Sequence, residues 1–175
     1  MSDLKDQIFS KVTGSEDVFK KIVAKIPGFK GYIERQARRD SDKMVRDTIF
    51  NRFRELEGRV SAIQRDFISQ GDIKYVDELE ASAIKLRTFA DRVHTASRGY
   101  SGVFDAVKIN EAELAKLYEY DSAMLDLVDQ VGKAIDNIEA SVGTDGLPAA
   151  MRNLESISRQ CIEIFDRREE VFTSG

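Results

Sequence analysis

Cysteine, histidine, proline and tryptophan are almost missing from this chain: its 175 residues include one Cys, one His, two Pro and no Trp. A single cysteine excludes an internal disulfide framework and makes a reducing compartment the simpler expectation. A single histidine excludes the paired Glu-x-x-His motifs of carboxylate-bridged di-iron bundles. So few prolines, with only 11 glycines, argue against a turn-dense all-β fold. No apolar run approaches the ~20 residues needed to cross a bilayer. The opening MSDLKDQIF is acidic and polar where a secretory signal is cationic and then apolar. The expected address is the cytoplasm, with a peripheral place at a membrane kept open by a basic segment described below.

What is present is a chain with 42% hydrophobic and 33% charged residues. That is too apolar for a disordered segment, and the length suits one domain of ~100–200 residues. From Leu114 the positions Leu117, Asp121, Met124, Val128, Val131, Ile135, Ile138 and Val142 advance by alternating steps of three and four. All but Asp121 are apolar, which is the stripe of a helix packed along its length against other helices. Val76, Leu79, Ala83, Leu86, Ala90 and Val93 keep the same alternation, as do Phe53, Leu56, Val60, Ile63 and Phe67. The last segment carries two interleaved sets, Leu154/Cys161/Phe165/Phe172 and Ile157/Ile164/Val171. A stripe that wide suits a globular bundle better than a lone two-stranded coil. No stretch sustains the period of two that a half-buried strand requires. The fold class is all-α.

The breaks set the boundaries. Pro27, Gly28 and Gly31 stop a short N-terminal helix, Gln70-Gly71-Asp72 ends the first long one, and Arg98–Gly102 ends the second. Gly143–Gly146 ends the third, and Pro148 falls in the first turn of the fourth, where its missing N–H matters little. Long helices are expected near 33–70, 74–97, 110–142 and 147–172. The short breaks join antiparallel neighbours, so the expected architecture is an elongated antiparallel four-helix bundle of two hairpins over residues 33–175, preceded by a basic amphipathic segment over 1–32. Within that segment Leu4–Val12 and Val18–Ile26 are amphipathic pieces, with Ser15 as an N-cap. The apolar residues of 98–109 are expected to cap one end of the bundle.

Charge is uneven. From Val18 to Arg39 seven cations (Lys20, Lys21, Lys25, Lys30, Arg35, Arg38, Arg39) face one anion, Glu34, whereas Asn110–Asp145 holds nine anions and two cations. Three readings follow. The apolar face of Val18–Ile26 packs on the bundle while its lysines are solvated; or it lies on a membrane with its lysines reaching anionic headgroups; or the basic region meets the acidic third long helix of a neighbouring chain, giving a head-to-tail assembly. The basic stripe Arg35, Arg38, Arg39, Lys43 and Arg46 is largely offset by Asp42 and Asp47 at helical spacing. It lacks an aromatic platform or a compact helix-turn-helix, so no nucleic-acid partner is expected.

Two polar residues stand out as a candidate functional core: Asp121, which interrupts an apolar stripe and needs a buried partner such as Tyr100, Tyr118 or Tyr120, and His94, in the pattern Asp91-x-x-His94. Together with Asp126 and Asp129 they outline a weak carboxylate-rich cation site. Set against that, His94 near a helix end suits the C-terminal dipole. Cys161, on an apolar stripe with no histidine near it in sequence, reads as an inert buried thiol. The motifs PGFKGY and RGYSG lack the Lys-Ser/Thr of a phosphate loop and read as aromatic-anchored turns. No catalytic residue, cofactor or metal is expected.

The phrases IPGFKGYIERQARRDSDK and RGYSGVFDAVKINEAELAKLYEYD resemble segments of uncharacterised bacterial all-helical proteins, over most of residues 26–121. In layout alone, a basic amphipathic piece ahead of long helices is similar to the phage-shock membrane-scaffold family, although this chain is shorter and richer in Phe. The resemblance implies a helical fold and no transferable activity. The expected function is a non-enzymatic interaction bundle acting through a protein partner or a homo-oligomer. The alternatives are a peripheral protein on an anionic membrane surface and a metal- or small-ligand-binding bundle.

Overall fold

The computed structural model describes residues 16–34, 38–96 and 111–173, and every regular element among them is helical. In order they are α1 (Glu16–Lys25), α2 (Phe29–Glu34), α3 (Arg38–Ser69), a 3-10 turn (Ile73–Tyr75), α4 (Val76–Thr95), α5 (Glu111–Ser141) and α6 (Leu147–Thr173). The four long helices match the expected ones to within a few residues; residues 35–37, within the expected span of the first, lie outside the described residues. Gly31 lies inside α2 rather than at a break. The pieces Leu4–Val12 and 98–109, and Ser15, lie outside the described residues. No helix among the described residues is long and apolar enough to cross a membrane.

Two of the long helices, α3 and α5, close at glycine. Gly71 has φ 77°, Asp72 N–H donates to the Phe67 carbonyl at 3.0 Å, and Gly71 N–H donates to Ile68 at 3.1 Å. This paired closure satisfies the last carbonyls of α3 and needs a residue without a Cβ at the left-handed position. Asp72 then precedes the 3-10 turn and makes no side-chain cap bond, and α4 starts after that turn, at Val76. At the other tight turn, Gly143 has φ 76°, and Thr144 Oγ1 donates to the Ser141 carbonyl at 2.8 Å.

The two hairpins, α3–α4 and α5–α6, are each antiparallel, and their inter-helix contacts show how they face one another. Across the first, Arg87 meets Glu57 and Gln64 meets Glu80. Between hairpins the sense is parallel. Lys85 and Arg92 of α4 meet Glu155 and Asp166 of α6 in the same order. In α3 and α5, the Leu56 side chain lies beside Gly132 and Arg59 meets Asp136 and Glu139. Around the bundle the order is therefore α3, α4, α6, α5.

One continuous core fills the interior. Phe53, Phe89 and Phe165 join three helices, with ring centroids 4.5 Å apart for Phe53–Phe89 and 6.2 Å for Phe89–Phe165. The predicted stripe positions of α3 and α4 are buried, apart from Val76, which packs at the edge. On α5 the stripe is buried from Leu117 to Ile138 with Val128 at its edge, while Val142, just past the helix end, is exposed. Ile22, Ile26 and Phe29 of the N-terminal segment belong to this same core. A boundary at residue 32 therefore does not separate two cores.

Candidate functional site

Two places concentrate charged chemistry. The first is the contact of α1 with α5. Ile22 on α1 and Ile26, just past its last residue, stand one turn apart, and Lys21 and Lys25 stand one turn apart beside them, so this segment presents an apolar row edged by cations. Pro27 and Gly28 (φ 86°) turn the chain into α2, whose Phe29 meets Tyr118 of α5 edge to face at 6.0 Å. The segment thereby bridges α5, which holds α1, and α3, which holds α2. The Lys25 ammonium donates to Asp129 at 2.7 Å, to Asp126 at 3.2 Å and to the Leu125 carbonyl at 3.2 Å. Lys21 lies 3.7 Å from Asp126. Burial by itself would lower the Lys25 pKa; the hydrogen bonds to Asp129 and Asp126 outweigh it and hold the ammonium above its ordinary value.

Magnitudes separate the roles in this contact. Burying Ile22, Ile26 and Phe29 contributes about 1.5–3 kcal/mol each as an upper estimate, whereas partly exposed ion pairs are worth about 0–1 kcal/mol. Apolar burial holds the segment down, and the lysines select which surface it meets.

Of the seven cations singled out in the sequence, Lys21 and Lys25 are thus paired within the chain. Lys20 and Lys30 are exposed and also make contacts. Arg35 and the side chains of Arg38 and Arg39 lie outside what is described. The basic segment does meet the acidic third long helix, and it does so within one chain.

The second place is a polar layer inside the bundle. Asp121 and Arg168 are buried, and Arg168 Nε donates to Asp121 Oδ1 at 2.8 Å. Asp121 thus has a guanidinium on α6 as a partner, and Tyr100, one of the tyrosines considered for it, lies outside the described residues. Arg46 and Ser122 are also buried, and the α3–α5 register carried back from Leu56 and Gly132 places them at the level of this pair. A signal for Arg168 was present in the sequence. Leu154, Cys161 and Arg168 are spaced by seven, so a cation interrupts one stripe just as Asp121 interrupts another.

His94 does not join Asp121 in a shared site. It is half exposed at the α3–α4 edge, stacked on Phe50 at 4.3 Å, with Nδ1 3.9 Å from Asp47. Asp126 and Asp129, the other carboxylates considered for a cation, face Lys25. Among the described residues no three metal-ligating side chains form a group. Cys161 is buried and its thiol is pushed up to about 12 by desolvation, so it stays protonated near neutral pH and is a poor nucleophile.

The remaining charged clusters tie helix to helix. Glu57, nearly buried, accepts from Arg87 at 2.6 Å and from Arg54 at 2.8 Å, and its carboxylate holds Arg87 above its usual pKa. Arg59 reaches Asp136 at 2.6 Å and Glu139 at 3.2 Å. Chemically these pairs orient helices. The arrangement with binding character is the one in which α1 lies on α5 as a ligand would. No protein family, curated protein or solved structure matches this chain.

Proposed function

We propose that this chain is a non-enzymatic helical-bundle interaction protein of the cytoplasm, acting through protein–protein contacts that include self-association. The observation that supports the reading is the docking of α1. The bundle surface accepts an amphipathic basic helix through an apolar row and the carboxylates of Asp126 and Asp129. Helix-in-groove recognition of this kind uses anchors one turn apart, as Ile22 and Ile26 are. Light scattering of the full chain over a wide concentration range is the test, with an average mass expected to rise above 19.8 kDa. A mass fixed at that value, together with no binding of a peptide spanning residues 16–31, refutes the reading.

A second reading rests on the same segment. Lys20, Lys21 and Lys30 are exposed, and with the apolar row of α1 they form the composition that binds anionic lipid surfaces. To enter a bilayer interface, α1 has to withdraw Ile22 and Ile26 from the core. Co-sedimentation with vesicles containing anionic lipid, lost at high salt, supports this reading; equal recovery with neutral vesicles refutes it.

A further inference from the structure

The α1–α5 contact has a property that the long-helix contacts lack. Among the described residues α1 packs chiefly on α5 and joins α2 across the turn at Pro27–Gly28, whereas each long helix packs against two or more other helices. Among the described residues, α1 meets α5 through the side chains of Lys21 and Lys25, which reach Asp126, Asp129 and the Leu125 carbonyl. The backbone hydrogen bonds at the end of α1 are local, Ile26 to Ile22 and Phe29 to Ile26. Among the described residues, moving α1 to another surface therefore costs one backbone bond, Phe29 to Ile26 across the turn. Any second copy of the chain presents the same α5, with its carboxylates at the same spacing.

We propose that α1 exchanges between two copies of this chain, each α1 seating on α5 of the other and placing Lys21 and Lys25 against the partner's Asp126 and Asp129. This deepens the self-association reading and rests on it. Reciprocal exchange closes as a two-fold dimer in which the α1–α5 contacts of the monomer are remade, so neither α5 is left with exposed apolar surface. Because the lysine–carboxylate pairs are partly exposed, salt screens them and speeds the exchange, while the Ile22 and Ile26 rows hold the product together.

Charge exchange tests this directly. One variant carries Lys21→Glu and Lys25→Glu; the other carries Asp126→Lys and Asp129→Lys. In either alone, every α1 meets an α5 of like charge in any copy. In the mixture, an exchanged heterodimer restores all of the opposite-charge pairs. The expected result is a 1:1 complex of twice the monomer mass in the mixture, absent from each variant alone, with the variant carrying all four changes behaving as wild type. A mixture that stays at monomer mass overturns the proposal.

Should the charge variants fail to fold, single-cysteine chains serve instead. Chains carrying Cys161→Ala with either Lys25→Cys or Asp129→Cys, mixed under mild oxidation, are expected to give a mixed disulfide joining the two different chains, identified by mass. Recovery of the separate chains without that species overturns the proposal. If wild-type mass rises with concentration while neither trans species forms, self-association uses another surface, and the function stands without the exchange. Wild-type binding to anionic vesicles in place of both trans products assigns α1 to lipid and likewise overturns it.

Discussion

Replacing Arg168 with Leu removes a guanidinium with no exposed surface from beside a carboxylate that is 3% exposed. The leucine roughly fills the volume near the backbone but leaves Asp121 without the donor that reaches it at 2.8 Å. Breaking a buried pair from one side costs about 3–5 kcal/mol, because a buried charge remains uncompensated. A domain of this size has about 5–15 kcal/mol of stability in all. The urea midpoint should therefore fall by roughly 2 M at a slope of about 2 kcal/mol per M. Asp121→Leu should be comparably destabilising, since it takes from the buried Arg168 guanidinium the carboxylate it donates to at 2.8 Å. The double variant should cost less than the two single changes added together, because neither charge is then left facing an empty partner position. Urea unfolding followed by circular dichroism measures all three. A single-variant loss below about 1 kcal/mol, or strictly additive losses, would refute the claim that this pair is buried and coupled.

Three smaller predictions follow from glycine and cysteine positions. Gly58 lies in the interior of α3 with nothing within 4 Å of a built Cβ, so Gly58→Ala should raise stability by about 0.5–1 kcal/mol by restricting the unfolded chain, read as a higher melting temperature. Gly71 also has open space but sits at φ 77°; Gly71→Ala should lower stability by about 1–2 kcal/mol in the same assay, through backbone strain alone. Cys161 should react with a disulfide reagent only after unfolding. Its folded pKa of about 12 lies above the ordinary 9.0, so its contribution is intact below pH 9 and falls as pH rises toward 12, by up to about 1.4 kcal/mol per pH unit. The wild-type stability curve should accordingly steepen above pH 9 relative to Cys161→Ala, and parallel curves would contradict the burial of the thiol.

Much of this molecule is legible along the chain because helix formation is a local affair. The three-and-four spacing of Phe53, Leu56, Val60, Ile63 and Phe67 names a buried face whatever lies opposite it. Glycine at 71 and 143 closes helices through the left-handed geometry that only a residue without a Cβ takes easily, and Pro148 opens one where its missing N–H is harmless. Which stripe meets which is another matter. The parallel seating of α3 on α5, and of α4 on α6, depends on how whole hairpins pack, and many pairings bury similar apolar area. Asp121 announced that it needed a partner, but Arg168 became that partner only when α5 and α6 ran antiparallel at one register. The basic face of α1 announced complementarity to the acidic helix; only the tertiary structure shows that Asp126 and Asp129 are met from within the same chain. Periodicity is written in one dimension, whereas the choice of partner depends on interhelical register, which exists only once the helices have packed.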